Sequence, residues 1–237
     1  MQKLFFLKLY KKIPLSFRNR VHFFLHRINS NRYLLSLLKF RHYLTCRKLR
    51  SYEFVNLRVG ESGKFHSWIS TNYQVSCRNF LDVTKPLVGV KNLRFIIADN
   101  VIEHLSLING KVMLANLYSS MLPGATLRLS TPNLRELANR YVSYDFGALE
   151  ELKLDLQQHS VAIEHLPDLL RVQFTSFGHE KGYLYDFETL QAILMQVGFR
   201  NIRQFATSHS EISVLVDAEN RKSPSDSWAQ LCIEAEK

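Results

Sequence analysis

An apolar run, Phe95-Ile96-Ile97-Ala98, gives way at once to Asp99 and Asn100, and His104 follows five residues after Asp99. A strand that ends in polar residues presents them to whatever lies beyond the sheet, and an imidazole placed there can take a proton near neutral pH. The competing reading is local: Glu103 and His104 cap and hydrogen-bond the turn that follows, and for Glu103 this is the preferred one. His179 stands before Tyr183-Leu184-Tyr185-Asp186 and reads either as a second base or as a pin for its own loop. Upstream, Val55-Asn56-Leu57-Arg58-Val59 runs into Gly60-Glu61-Ser62-Gly63. Glycines after a strand let the backbone approach a ligand closely because no Cβ intervenes, although a plain turn explains them equally well.

The elements that must hold these residues follow from periodicity. Short β-like runs fall at 52–59, 68–73, 93–98, 125–130, 199–207 and 228–235, and helical patterns at 109–121, 133–144 and 187–197. Asp186 is a fitting N-cap for the last helix and Gly198 its stop signal. Strands alternating with helices predict an α/β fold with a mostly parallel sheet covered on both faces. In such a sheet ligands bind outside the carboxyl ends of the strands. Residues 145–185 break the alternation and read as an insertion on the substrate side.

Charge divides the chain. Of its 31 Lys and Arg, 13 lie in residues 1–50, which hold no Asp or Glu, so the rest carries 18 basic against 21 acidic groups. Apolar residues at helical spacing within 17–28 and 34–44 make this extension a pair of basic amphipathic helices. Their apolar faces can pack on the domain or a protein partner, or lie on an anionic membrane surface. Nucleic acid ranks third, since the segment is rich in Leu and Phe and matches no recognition motif. The three scattered cysteines, Cys46, Cys77 and Cys232, lack zinc-binding spacing, so a reducing compartment and no metal are expected. No apolar run reaches the length of a membrane span and no secretory signal is present, which predicts a cytoplasmic protein, peripheral at the inner membrane face where the extension docks there.

In order along the chain, Asp99-Asn100-Val101-Ile102-Glu103-His104-Leu105, Leu122-Pro123-Gly124-Ala125-Thr126-Leu127-Arg128 and Thr131-Pro132-Asn133-Leu134 stand ahead of His179, the 183–190 segment and Val197-Gly198-Phe199. Together they resemble the class I S-adenosylmethionine-dependent methyltransferases, in particular a small branch associated with surface-polysaccharide and other glycan assembly. The resemblance covers 52–237 and implies a Rossmann-like domain of about seven strands behind a 1–51 extension. It implies S-adenosylmethionine as cofactor, bound by Gly60, Glu61, Asn72, Asp82, Val83, Asp99 and Asn100. It also implies methylation of a glycan or glycolipid hydroxyl, with His104 and His179 as candidate bases and Asp99 orienting the substrate. Arg58 stands where the family's first loop glycine falls, and Asn72 where it has an acid. These two departures support a second reading, a non-catalytic domain of the same fold that binds partners.

Overall fold

The computed structural model describes residues 32–58, 68–71, 78–219, 221 and 223–237. The 17–28 helix, Gly60, Glu61 and Asn72 lie outside the described residues. Helix α1 (Arg32–Leu49) leads into β1 (Phe54–Arg58), β2 (Ile69–Thr71) and β3 (Leu93–Asp99). A 3₁₀ turn (Ile102–His104), α2 (Leu107–Ser120) and β4 (Met121–Pro132) follow. Then come α3 (Leu134–Val142), α4 (Phe146–Gln158), α5 (Leu166–Thr175), α6 (Phe187–Val197), β5 (Arg200–Phe205), a short α7 (Asp226–Ala229) and β6 (Gln230–Glu236). All six strand signals in the sequence correspond to strands.

The sheet order is β2-β1-β3-β4-β6-β5, six strands among the described residues rather than about seven. β1 to β4 are parallel, and β6 runs antiparallel to both β4 and β5. From β1 the chain goes one way to β2, and from β3 the other way to β4. The carboxyl ends of β1 and β3 therefore flank the switch point where an open α/β sheet forms its crevice.

The two faces of the sheet differ. Val55, Leu57, Ile96, Ala98, Leu127, Leu129, Ile233 and Ala235 build the main core with α1, α2 and α6 through Cys46, Leu49, Leu114, Leu117, Leu190 and Leu194. On the opposite face Phe54, Phe95 and Ile97 pack under Ile212, Val214, Leu215 and Ala218, from the segment joining β5 to α7, which carries a 3₁₀ turn (Ser213–Leu215) and no α-helix among its described residues. Of the helices expected on both faces, those among the described residues that join the sheet's apolar core lie on the first face, and none contributes to the cluster on this second face. Residues Asn56, Arg128, Ser130 and Glu234 share that second face by register and are buried. Arg128 finds its partners in that segment, Glu219 and the His209 carbonyl, which an apolar helix face would not supply.

Residues 145–185 form α4 and α5, which with α3 and Trp228 enclose a second apolar cluster around Leu137, Leu149, Leu152 and Leu169. The α5 start is held by Asp168, whose Oδ2 accepts the Glu164 and His165 N–H groups at 3.0 Å each while Arg171 Nε donates to Oδ1 at 3.0 Å. These amides, His165 first, and then the guanidinium draw the Asp168 carboxyl down to about 2. A depressed carboxyl pKa adds stability above its ordinary value near ~4, and that stability disappears as pH falls through the folded value. The gap in melting temperature between this chain and Asp168→Ala is therefore expected to be full at neutral pH and to close between about pH 4 and about pH 2. A gap that persists to pH 2 would remove the carboxylate from the cap.

Candidate functional site

β3 ends at the switch point. Asp99 pairs in register with Arg58 on β1 and Ser130 on β4, and is 2% exposed. Its Oδ1 accepts the Ser130 hydroxyl at 2.6 Å and Arg221 Nη2 at 2.7 Å. Arg221 comes from the 206–229 connection, which runs from the end of β5 to the start of β6 and so crosses the ligand side of the sheet. It borders an open polar depression with Glu151, Thr207, Ser208, Ser223 and Asp226. Asn100 next turns the chain with φ +48°, and its N–H donates to the Ser130 carbonyl at 3.0 Å. The Asn100 Oδ1 is buried without a hydrogen-bond partner.

The 3₁₀ turn then carries Glu103 and His104 into contact with His179. Glu103 is fully buried in this turn, and neither carboxylate oxygen has a hydrogen-bond partner. Desolvation pushes its carboxyl up to about 8, and the Asp99 charge adds to the shift. Its own backbone amide and the Thr131 hydroxyl pull the other way, although neither makes a hydrogen bond of ordinary geometry to it. The His104 ring meets the His179 ring edge to face, with centroids 4.7 Å apart. Burial lowers the pKa of both imidazoles, and for His104 the neighbouring His179 lowers it further, so both rings are neutral at pH 7. His179 Nδ1 lies 2.8 Å from the Gln173 carbonyl, which can only accept, so the proton is on Nδ1 and the lone pair on Nε2.

Glycine makes this approach possible. A Cβ on Gly182 would sit 1.7 Å from the Glu103 carbonyl oxygen, and Tyr183 N–H donates to the same oxygen at 3.2 Å. The loop bearing His179 is thereby closed onto the turn bearing Glu103 and His104. The Tyr185 hydroxyl, also buried without a partner, has its pKa raised by burial, then by Tyr183 and Glu103.

The structure brings together Asp99, Asn100, His104 and His179. Asp82 and Val83 have other engagements. Asp82 Oδ1 holds a turn by accepting Thr84 N–H at 3.0 Å and the Thr84 hydroxyl at 2.6 Å. Val83 is buried in the main core, with its carbonyl accepting Asn116 Nδ2 at 3.0 Å. Sequence reasoning missed Arg221, which lies in a stretch of turn-like composition, and read Glu103 as a cap.

No protein-family model and no curated protein matches the sequence. Among solved structures the chain is similar to a SAM-dependent methyltransferase from Thermotoga maritima, with 12% identity, 89% of this chain, 97% of that one and a TM-score of 0.48. A SAM-dependent methyltransferase from Archaeoglobus fulgidus shows 16% identity over 87% of this chain and 100% of that one, with a TM-score of 0.44. For Haemonchus contortus phosphoethanolamine N-methyltransferase 2 in complex with S-adenosyl-L-methionine the figures are 11%, 82%, 52% and 0.43. The chain thus spans about half the length of that protein and about a third of a Nostoc punctiforme relative. Fold likeness of this degree leaves chemistry to be read from the side chains present.

Proposed function

We propose that this chain is an S-adenosylmethionine-dependent methyltransferase domain whose acceptor is a hydroxyl of a glycan or glycolipid precursor. The observation that carries this reading is the end of β3, where Asn100 and the neutral His104 and His179 rings gather beside the switch point. The Asn100 Oδ1, buried and without a partner, suits a donor such as the ammonium or amine of the bound cofactor. S-adenosylmethionine would supply an electrophilic methyl group. Asp99 already accepts Ser130 and Arg221, so its part is to anchor Arg221 over the crevice. His104, half-buried and neutral, is the base that takes the acceptor proton, and His179 positions its ring. The 13 basic side chains of residues 1–50 would keep the domain near an anionic membrane surface, where glycolipid precursors are built. Among the described residues no helix is long and apolar enough to cross a membrane.

A non-catalytic, partner-binding domain is the second reading, favoured by the Arg221 guanidinium on Asp99, a cation placed where a sulfonium would have to approach. Isothermal titration of the full chain with S-adenosylmethionine separates the two. Micromolar binding is expected, and none at millimolar cofactor would leave the second reading standing. His104→Ala is expected to keep that affinity while S-adenosylhomocysteine release with lipid-linked sugars falls about 10²–10⁴-fold. An unchanged rate would remove His104 as the base.

A further inference from the structure

Glu103 has no task in methyl transfer, yet it is buried to 0% exposure with both carboxylate oxygens lacking a hydrogen-bond partner. One ligand atom each from Glu103, His104 and His179 lie within 4.8 Å of one another. We infer that these three side chains form a binding site for a divalent transition-metal ion. Nitrogen and carboxylate ligands stand roughly 2.0–2.2 Å from zinc. Atoms this close can converge on one ion with small side-chain rotations. Two imidazoles and one carboxylate make the donor set of three-ligand zinc and iron(II) sites and are too nitrogen-rich for magnesium or calcium.

The surroundings fit the same assignment. A metal-bound histidine generally donates its other ring N–H to a carbonyl or carboxylate, which fixes the tautomer. His179 already does so, giving Nδ1–H to the Gln173 carbonyl at 2.8 Å and leaving Nε2 as the ligand atom. The ligand-bearing segments are locked together by Tyr183 N–H on the Glu103 carbonyl oxygen and by the Gly182 contact, so the site is held before an ion arrives. A cation would supply the charge partner that the buried Glu103 carboxylate lacks. An ion there would supply Lewis-acid chemistry, and His104, then a ligand, would no longer be free to act as the base assigned above.

The site does not rest on the methyltransferase reading, since it requires neither cofactor nor turnover. After treatment with chelator, the full chain is titrated with Co²⁺ alone and with Zn²⁺ alone, without S-adenosylmethionine. One equivalent of Co²⁺ with visible absorption bands is expected, together with a Zn²⁺-dependent rise in melting temperature. Affinity should fall at least 10-fold in Glu103→Gln, His104→Ala and His179→Ala, in line with the loss of one ligand. Should the buried Glu103 variant not fold, the half-exposed His104 variant still decides. No uptake by the parent chain overturns the site, as does equal uptake by parent and His104→Ala, which would point to surface histidines. A preference for Mg²⁺ over Zn²⁺ would overturn the transition-metal class.

Discussion

Gly182→Ala is expected to destabilise the chain by about 3 kcal/mol and to part His179 from Glu103 and His104. The cause is contact with backbone rather than strain in φ. The added Cβ would lie 1.7 Å from the Glu103 carbonyl oxygen, 2.9 Å from its carbon and 3.2 Å from the His179 carbonyl oxygen. None of these atoms can swing aside as a side chain would, so the loop must lift. Lifting it breaks Tyr183 N–H to Glu103 O, 3.2 Å, and disturbs Gly182 N–H to His179 O, 2.8 Å. For a domain of this size the loss corresponds to a melting temperature roughly 6–12 °C lower. Gly147 in the first turn of α4 is the control. A Cβ there meets nothing closer than Asp145 Oδ1 at 3.8 Å, and alanine should stabilise by about 0.5–1 kcal/mol. Equal urea midpoints for the two variants would mean that the loop is not clamped on Glu103.

What could be read from the sequence and what could not divides along local and distant interactions. The end of β3 was legible because Phe95-Ile96-Ile97-Ala98 and the polar Asp99 and Asn100 are neighbours in sequence. The Asp186 cap and Gly198 stop were legible for the same reason, and α6 begins and ends on them, with Asp186 Oδ1 accepting Thr189 N–H at 2.9 Å and Gly198 at φ +117°. Arg221 reaches Asp99 across 122 residues, and nothing in its local pattern points there. The burial of Glu103 likewise depends on a loop nearly eighty residues downstream, closed by a glycine that in sequence reads as an ordinary turn. β4 is the instructive case. Thr126, Arg128 and Ser130 alternate with Leu127 and Leu129, a pattern that normally puts the polar face in water. Here that face is buried, because the segment after β5 returns over it carrying the partners that Arg128 requires.

Arg128→Met should therefore be the most damaging change outside the site, costing about 3–5 kcal/mol. Arg128 is fully buried and bonded through Nε and Nη2 to Glu219, and through Nη1 to Glu234 Oε1 at 2.6 Å and the His209 carbonyl at 2.8 Å. Glu234 is its register partner on β6, whereas Glu219 and His209 belong to the segment lying over the face. One side chain thus joins two strands to the covering segment. Methionine fills much of the volume but leaves two carboxylates buried with no cation, and that uncompensated charge is the main cost. Lysine should recover only part of it, since a single ammonium cannot reproduce the forked set of bonds. A further outcome separates charge from packing. Arg128→Met combined with Glu219→Gln and Glu234→Gln should regain most of the stability, because the charges left behind are gone. A triple variant no more stable than Arg128→Met would locate the loss in packing instead. The effect extends to the site: Glu219 precedes Arg221 by two residues, so a segment released from Arg128 also withdraws the guanidinium from Asp99. Hydrogen exchange in Arg128→Met should accordingly speed up across 208–221 and at the end of β3, while α6 on the other face keeps its protection.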